Sequence, residues 1–435
     1  METAPYTSDL AAALAGDVLE RFLRYVRIDT QSRPNRTGSP SSPGQLELGR
    51  LLVSELQAAG LSDAELDENG YVFATLAASG NGARLPVIGL LAHMDTAPDA
   101  SGAGVEPIVH RHYGGGEIML PRSKTKLDPA VMPELKTKRG HDIVTGSGDT
   151  LLGADDKAGV AEIMAAVSYL ATHPELPRPI LRIAFTPDEE INEGATLFDI
   201  ERFGALCAYT LDGSELGEIQ GESFSADEIV VRVEGIEVHP GQASGKMVNA
   251  LRLAAQIIAA LPLKHLTPET TSNREGFIHI HQLSGTPGRA EFRGLLRDFD
   301  TDKLADYADL VRTTAQEVVG RSPRARVEVE VNRQYRNMLQ YIERVPHLLS
   351  IAEKAIRAEG IEPLRNSIRG GTDGSRLSER GLPTPNLFTG AHEFHSPREW
   401  ASAHDMASAA AVIVRLAGVW AERVIPDDTP VGSGG

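Results

Sequence analysis

The chain has 435 residues, 41% hydrophobic and 24% charged, long enough for two domains with separate cores. A formal net charge of −17 repels phosphate backbones and anionic membrane surfaces, so neither nucleic acid nor membrane is an expected partner. Cys207 is the single cysteine, which excludes an intrachain disulfide. With no basic leader and no apolar run of about eighteen residues, the expectation is a soluble, cytoplasmic protein.

Apolar positions at helical spacing predict helices over 16–28 and 45–59, and "YVFATLAA" predicts a strand. Three apolar runs follow: "RLPVIGLLAH", "PILRIAFTPDEE" and "GALCAYTLDG". Between the first two lies "AGVAEIMAAVSYLATH", a helix with Val160, Ile163, Met164, Val167 and Leu170 on one face. Apolar runs alternating with helices predict an α/β domain with a mixed, largely parallel sheet. The stretch 98–150 is rich in Gly, Pro and charge and too long for a simple connection.

Near residue 220 the pattern changes. A strand (227–234), a helix (249–261), the strands "GFIHIHQLS" and "AEFRGLLRDF", a helix (302–320) and the strand "ARVEVEVNRQY" follow in turn. That βαββαβ order predicts an α+β, ferredoxin-like unit. After 337 the α/β pattern resumes, with a helix at 345–359, a Gly-rich loop, "TPNLFTGAH" and a helix at 403–422. The expected division is a discontinuous domain of 1–219 and 337–435 with 220–336 inserted. The tail "PDDTPVGSGG" is expected to be disordered.

Each apolar run ends in side chains of the ligand type: His93 and Asp95, then Asp188, Glu189 and Glu190, then Asp212. Ligands of open α/β sheets bind outside the carboxyl ends of the strands. Such a rim is what a metal site requires, although acids also commonly begin loops. "LLGADDKAGV" adds Asp155 and Asp156 in apolar surroundings, where an unpaired carboxylate costs several kcal/mol or more. Asp156 also reads as an acidic first-turn residue favoured by the helix dipole.

The motifs "AHMDTAPD", "GADDKAGVAEI", "FTPDEEINEGA", "YTLDG", "VHPGQASGKMVNAL", "RGGTDGSRLSERGLPTPNLFTG" and "FHSPRE" occur in the order seen in the M20 metallopeptidases. "RGGTDG" and "PNLFTG" resemble the peptidase T branch, the tripeptide aminopeptidases. The resemblance runs from about residue 15 to 422. "FHSPREW" stands where a His-Gly-Lys-His-Glu type segment is usual, and "GFIHIHQLSGTPGRAEFRG" departs from the usual lid sequence.

The resemblance implies a zinc-peptidase-like catalytic domain with a lid, and two divalent metals bridged by Asp155, with a cis peptide after it. His93 and Asp212 complete one site, Glu190 and His395 the other. His395 is chosen over His392 and His404 because Glu399 follows it by four residues. Nitrogen and oxygen ligands suit two zinc ions per subunit, with cobalt or manganese as alternatives. Glu189 is the implied general base, and Asp95 the carboxylate that fixes the His93 tautomer. His239 is assigned to the oxyanion side and Arg297 and Arg369 to the substrate's C-terminal carboxylate. Asn249 is grouped with the substrate-binding residues. His110, His112 and His141 carry no assigned role. A homodimer through the lid domains, acting on tripeptides, is the expected enzyme. The alternatives are another M20 amide hydrolase (dipeptidase, carboxypeptidase or acyl-amino-acid deacylase) and a non-catalytic peptide-binding protein on the same scaffold.

Overall fold

The computed structural model describes residues 4–35, 38–80, 82, 85–262 and 264–422; "PDDTPVGSGG" lies outside them. Two compact units divide the chain. The first comprises Met1–Gly221, Tyr341–Asn366 and Thr372–Gly435; the second comprises Glu222–Gln340 and Ser367–Gly371. The second unit thus differs from the expected 220–336, above all by gaining Ser367–Gly371. Those residues belong there because Arg369 is hydrogen-bonded to the Thr271–Glu275 loop.

In the first unit an eight-stranded sheet runs in the order Glu65–Leu66, Val72–Leu76, Leu181–Thr186, Ile88–His93, Cys207–Gly213, Asn386–Phe388, Glu218–Ser223, Leu364–Ile368. The middle four strands are parallel, and Val72–Leu76 with both of its neighbours, and Glu218–Ser223 with Asn386–Phe388, pair antiparallel. Every residue of Ile88–His93 is buried, as a strand covered on both faces should be. Helix Ala154–Thr172 packs on this strand and on Cys207–Gly213, and also on helices Asp9–Tyr25 and Ala403–Ala421. It is therefore buried almost all round, with Ala158, Ala161, Ala165 and Ala166 as enclosed as its large apolar residues. The first helix begins at Asp9, seven residues before its expected start, because the Ser8 side chain caps it by accepting the Ala11 N–H.

Residues 98–150 are not a plain loop. They contain strands Ile108–His110, Ile118–Met119, Lys126–Leu127 and Ile143–Thr145 and helix Pro133–Thr137. Tyr113, Ile118, Leu120, Leu127, Met132, Leu135 and Ile143 pack with Trp400 in a small core. Ile143–Thr145 also pairs with Trp400–Ser402, which pairs with Ala391–His392. This segment is the platform for the turn that carries His395.

The second unit has the expected βαββαβ order. Its antiparallel sheet runs Phe277–Gly285, Arg289–Asp298, Ser225–Glu234, Arg326–Tyr335. Helices Ala250–Ala260 and Lys303–Gly320 pack on it, and Ile229, Val231, Val233, Ile257, Phe292, Leu296 and Val311 form its core. Among the described residues no helix is long and apolar enough to cross a membrane.

Candidate metal centre and active site

Three parallel strands deliver the site to one rim. His93 closes Ile88–His93, Asp212 is the penultimate residue of Cys207–Gly213, and Thr186 ends the strand that leads to Glu189 and Glu190. Asp155 enters from the start of the buried helix. Its backbone and that of Asp156 are not helical, and the peptide between them is cis, as the resemblance implied. His395 comes from the turn between Ala391–His392 and Trp400–Ser402. Asp188, Asn192, Glu393 and His395 all have φ near +60°. Residues other than glycine adopt that conformation at a cost of about 1–3 kcal/mol each, and such strain clusters at functional sites.

Two groups of side chains converge, and Asp155 belongs to both: His93, Asp155 and Asp212 form one, and Asp155, Glu190 and His395 the other. Asp155 Oδ1 lies 3.0 Å from His93 Nε2, and its Oδ2 lies 3.3 Å from His395 Nε2. Asp212 Oδ1 is 3.8 Å from His93 Nε2, and Glu190 Oε2 is 3.0 Å from His395 Nε2. His93 Nδ1 faces Asp95, 3.2 Å from its carbonyl and 3.3 Å from its carboxylate, which leaves the Nε2 lone pair for a metal. On His395 the corresponding partner is Asp99, 3.5 Å from Nδ1.

This donor set needs positive charge. Burial, with the neighbouring carboxylates, pushes Asp212 well above the usual carboxylate range and Glu190 up to about 7. Burial also works on Asp155, but the hydrogen bonds of His395 and His93 outweigh it and hold that carboxyl below the usual range. Glu190 Oε1 is buried without a hydrogen-bond partner among the described residues. Nitrogen and oxygen donors in two groups sharing a carboxylate, one with an orphaned oxygen, fit divalent cations.

Glu189 belongs to neither group. Burial raises its carboxyl well above the usual range, reinforced by Asp373, Asp212 and Glu190. Asp95 accepts the backbone N–H groups of both glutamates.

Four supporting residues had no expected role in the site. Glu399, used above only to choose among histidines, accepts backbone N–H groups at the approach to Asp155. Asp156 is buried and accepts the His93 and Gly159 N–H groups, so it does more than begin a helix. Asp373 accepts the Thr186 hydroxyl at 2.7 Å. Asp188, turned away from the metal groups, accepts from Ser41 and Gln45 and anchors the turn before Glu189. The last two pairings join residues far apart in sequence and left no local signal.

The lid candidates lie in the second unit. His239 Nδ1 accepts the Gly241 N–H at 3.2 Å, so its proton sits on Nε2, on an exposed side chain. Asn249 caps helix Ala250–Ala260, accepting the Arg252 N–H. Arg369 donates to the Thr271 carbonyl and hydroxyl and to the Glu275 carbonyl, and stacks near Phe224 and Phe277. Arg297 Nε is buried with no hydrogen-bond partner among the described residues. His141 bonds Ser402, and His110 bonds Thr145; neither joins a metal group.

Comparison with known proteins agrees with this geometry. The family model for "Peptidase family M20/M25/M40" matches residues 149–418. Peptidase T of Geobacillus kaustophilus is 46% identical over 401 residues, covering 92% of this chain and 97% of that protein. Peptidase T of Bacillus subtilis is 44% identical over 402 residues, covering 92% and 98%. The crystal structure of aminopeptidase PepT from Bacillus cereus shares the fold, with a TM-score of 0.72 at 22% identity, covering 94% and 99%. The chain therefore belongs to the M20 metallopeptidases, in the peptidase T branch.

Proposed function

We propose that this enzyme is a dizinc tripeptide aminopeptidase of the cytoplasm that releases the N-terminal residue from tripeptides. The observation that carries the reading is Asp155, one oxygen turned to the His93 group and the other to the His395 group. The relatives named peptidase T support the substrate class.

The residues divide the work as follows. His93, Asp155 and Asp212 would hold one ion, and Asp155, Glu190 and His395 the other. The ions would supply a water of lowered pKa and polarise the scissile carbonyl. Glu189, outside both groups, accepts the proton of the attacking water and returns it to the leaving amine. Asp95 keeps His93 in the Nε2-ligating tautomer and fixes the turn bearing Glu189. His239, donating from Nε2, stabilises the developing oxyanion. Arg297 pairs with the substrate's C-terminal carboxylate and so measures peptide length, while Arg369 holds the 271–275 loop and Asn249 the helix behind His239. The lid unit also pairs two copies into a homodimer.

The test is a set of assays with metal analysis. Ala-Ala-Ala should be cleaved, at two zinc ions per chain, far better than di- or tetrapeptides or N-acetyl-Ala-Ala-Ala. Preferred cleavage of a dipeptide or the acetylated peptide would move the enzyme to another M20 activity. No cleavage with both ions bound would leave a peptide-binding protein. Sedimentation tests the dimer.

A further inference from the structure

Glu399 is 1% exposed, and its two oxygens accept three backbone N–H groups from one short segment. Oε2 takes those of Leu152 at 2.9 Å and Gly153 at 2.7 Å, and Oε1 takes that of Asp155 at 2.8 Å. The segment needs such an acceptor. N–H groups at the start of a helix have no partner within it and are usually met by a side chain at the cap. Here the cap is Gly153, with no side chain and φ of +80°. A carboxylate from 244 positions away in the chain takes that place.

Glu399 is also tied to the other half of the site. It follows His395 by four residues on the turn closed by the pairing of His392 with Trp400. One rigid turn thus presents a ligand of the second group and the acceptor that aims the bridging carboxylate. We propose that Glu399 is a positioning residue for the metal centre: it fixes the backbone from which Asp155 reaches both groups, in register with His395. The inference rests on the dimetal reading above.

Glu399→Gln keeps the shape but replaces one acceptor oxygen with a donor, so at least one of the three N–H groups loses its partner. The full-length protein loaded with cobalt, wild type and variant, would be competed with a chelator while the visible absorption of bound cobalt is followed. Supporting residues around metal ligands typically contribute about ten- to hundredfold in metal affinity. A folded Glu399→Gln should release cobalt at about that much lower chelator concentration, with a changed absorption envelope. A purely structural role would lower thermal stability and leave affinity and spectrum alone, and that result overturns the proposal.

A second measurement needs no variant. In the loaded wild type, hydrogen exchange at the amides of residues 152, 153 and 155 should be slow. Rapid exchange there overturns the proposal even if Glu399→Gln does not fold. Should the wild type bind fewer than two cobalt ions per chain, the dimetal reading fails, while the exchange experiment still decides whether Glu399 holds these amides.

Discussion

The Asp95 carboxylate accepts the backbone N–H of Glu189 at 2.9 Å. The same group takes the N–H of Glu190 at 3.1 Å and lies 3.3 Å from His93 Nδ1. One buried carboxylate therefore sets the position of a member of each converging group and of the neighbouring Glu189. On the single turn Glu189–Ile191, adjacent residues point apart: Glu190 meets His395, and Glu189 does not.

The two glutamates should therefore fail differently. Glu189→Gln is expected to keep its metal and its stability while kcat falls by about two to four orders of magnitude. Glu190→Gln should lose affinity for one ion and recover part of its activity in excess zinc. Metal analysis and kcat on both variants check this; the opposite pattern would exchange their roles.

The two arginines separate in the same way. Arg369 spends its terminal nitrogens on Thr271 and Glu275, while the Nε of each arginine is buried with no hydrogen-bond partner among the described residues. Arg297→Ala should lower kcat/KM for free tripeptides by about ten- to hundredfold, the scale of a charge-assisted hydrogen bond, and spare C-terminally amidated ones. Arg369→Ala should depress both substrates alike and lower the melting temperature. Equal cleavage of free and amidated tripeptides by the wild type would remove the clamp altogether.

His239→Ala removes a Gly241 contact on an exposed turn, so folding and metal content should be nearly unaffected. As an oxyanion donor it should cost about a hundredfold or more in kcat. An unchanged kcat would make His239 a turn residue only.

His392 supplies a pH prediction outside the metal groups. Burial, with the Lys138 charge, lowers its pKa from 6.5 to about 3. The folded protein therefore keeps this ring neutral where the unfolded chain protonates it. The stability it contributes is full above pH 6.5 and falls as pH drops toward 3, by up to about 1.4 kcal/mol per pH unit. In urea unfolding the wild type should lose stability relative to His392→Phe over that interval. A constant difference between the two would show that the ring titrates normally.

Strand ends and motif order made the converging groups legible, because a metal-binding type of side chain at the carboxyl end of an apolar run has a short-range signature. His93, Glu190 and Asp212 follow that rule. The platform under His395 was not legible: Ile108–His110 and Ile143–Thr145 are three-residue strands in polar sequence, fixed by pairing with each other and, for Ile143–Thr145, with Trp400–Ser402. Glu399, Asp156 and Asp188 were opaque for a related reason. Glu399 and Asp156 work by accepting backbone N–H groups, which any residue type can supply, and Asp188 by accepting from Ser41 and Gln45, 147 and 143 positions away. The role of Arg369 turned on a loop about a hundred positions earlier.

The pairing of Ile143–Thr145 with Trp400–Ser402 also imposes an order on the making of this protein. During synthesis, His93, Asp155 and Asp212 leave the ribosome well before His395. The second group waits for His395, and the Asp155 amide waits 244 positions for its acceptor. Contacts so distant in sequence form late, because the loop they close must be ordered first. A nascent or prematurely terminated chain can thus contain His93, Asp155 and Asp212, yet lack His395 and the acceptor of the Asp155 amide.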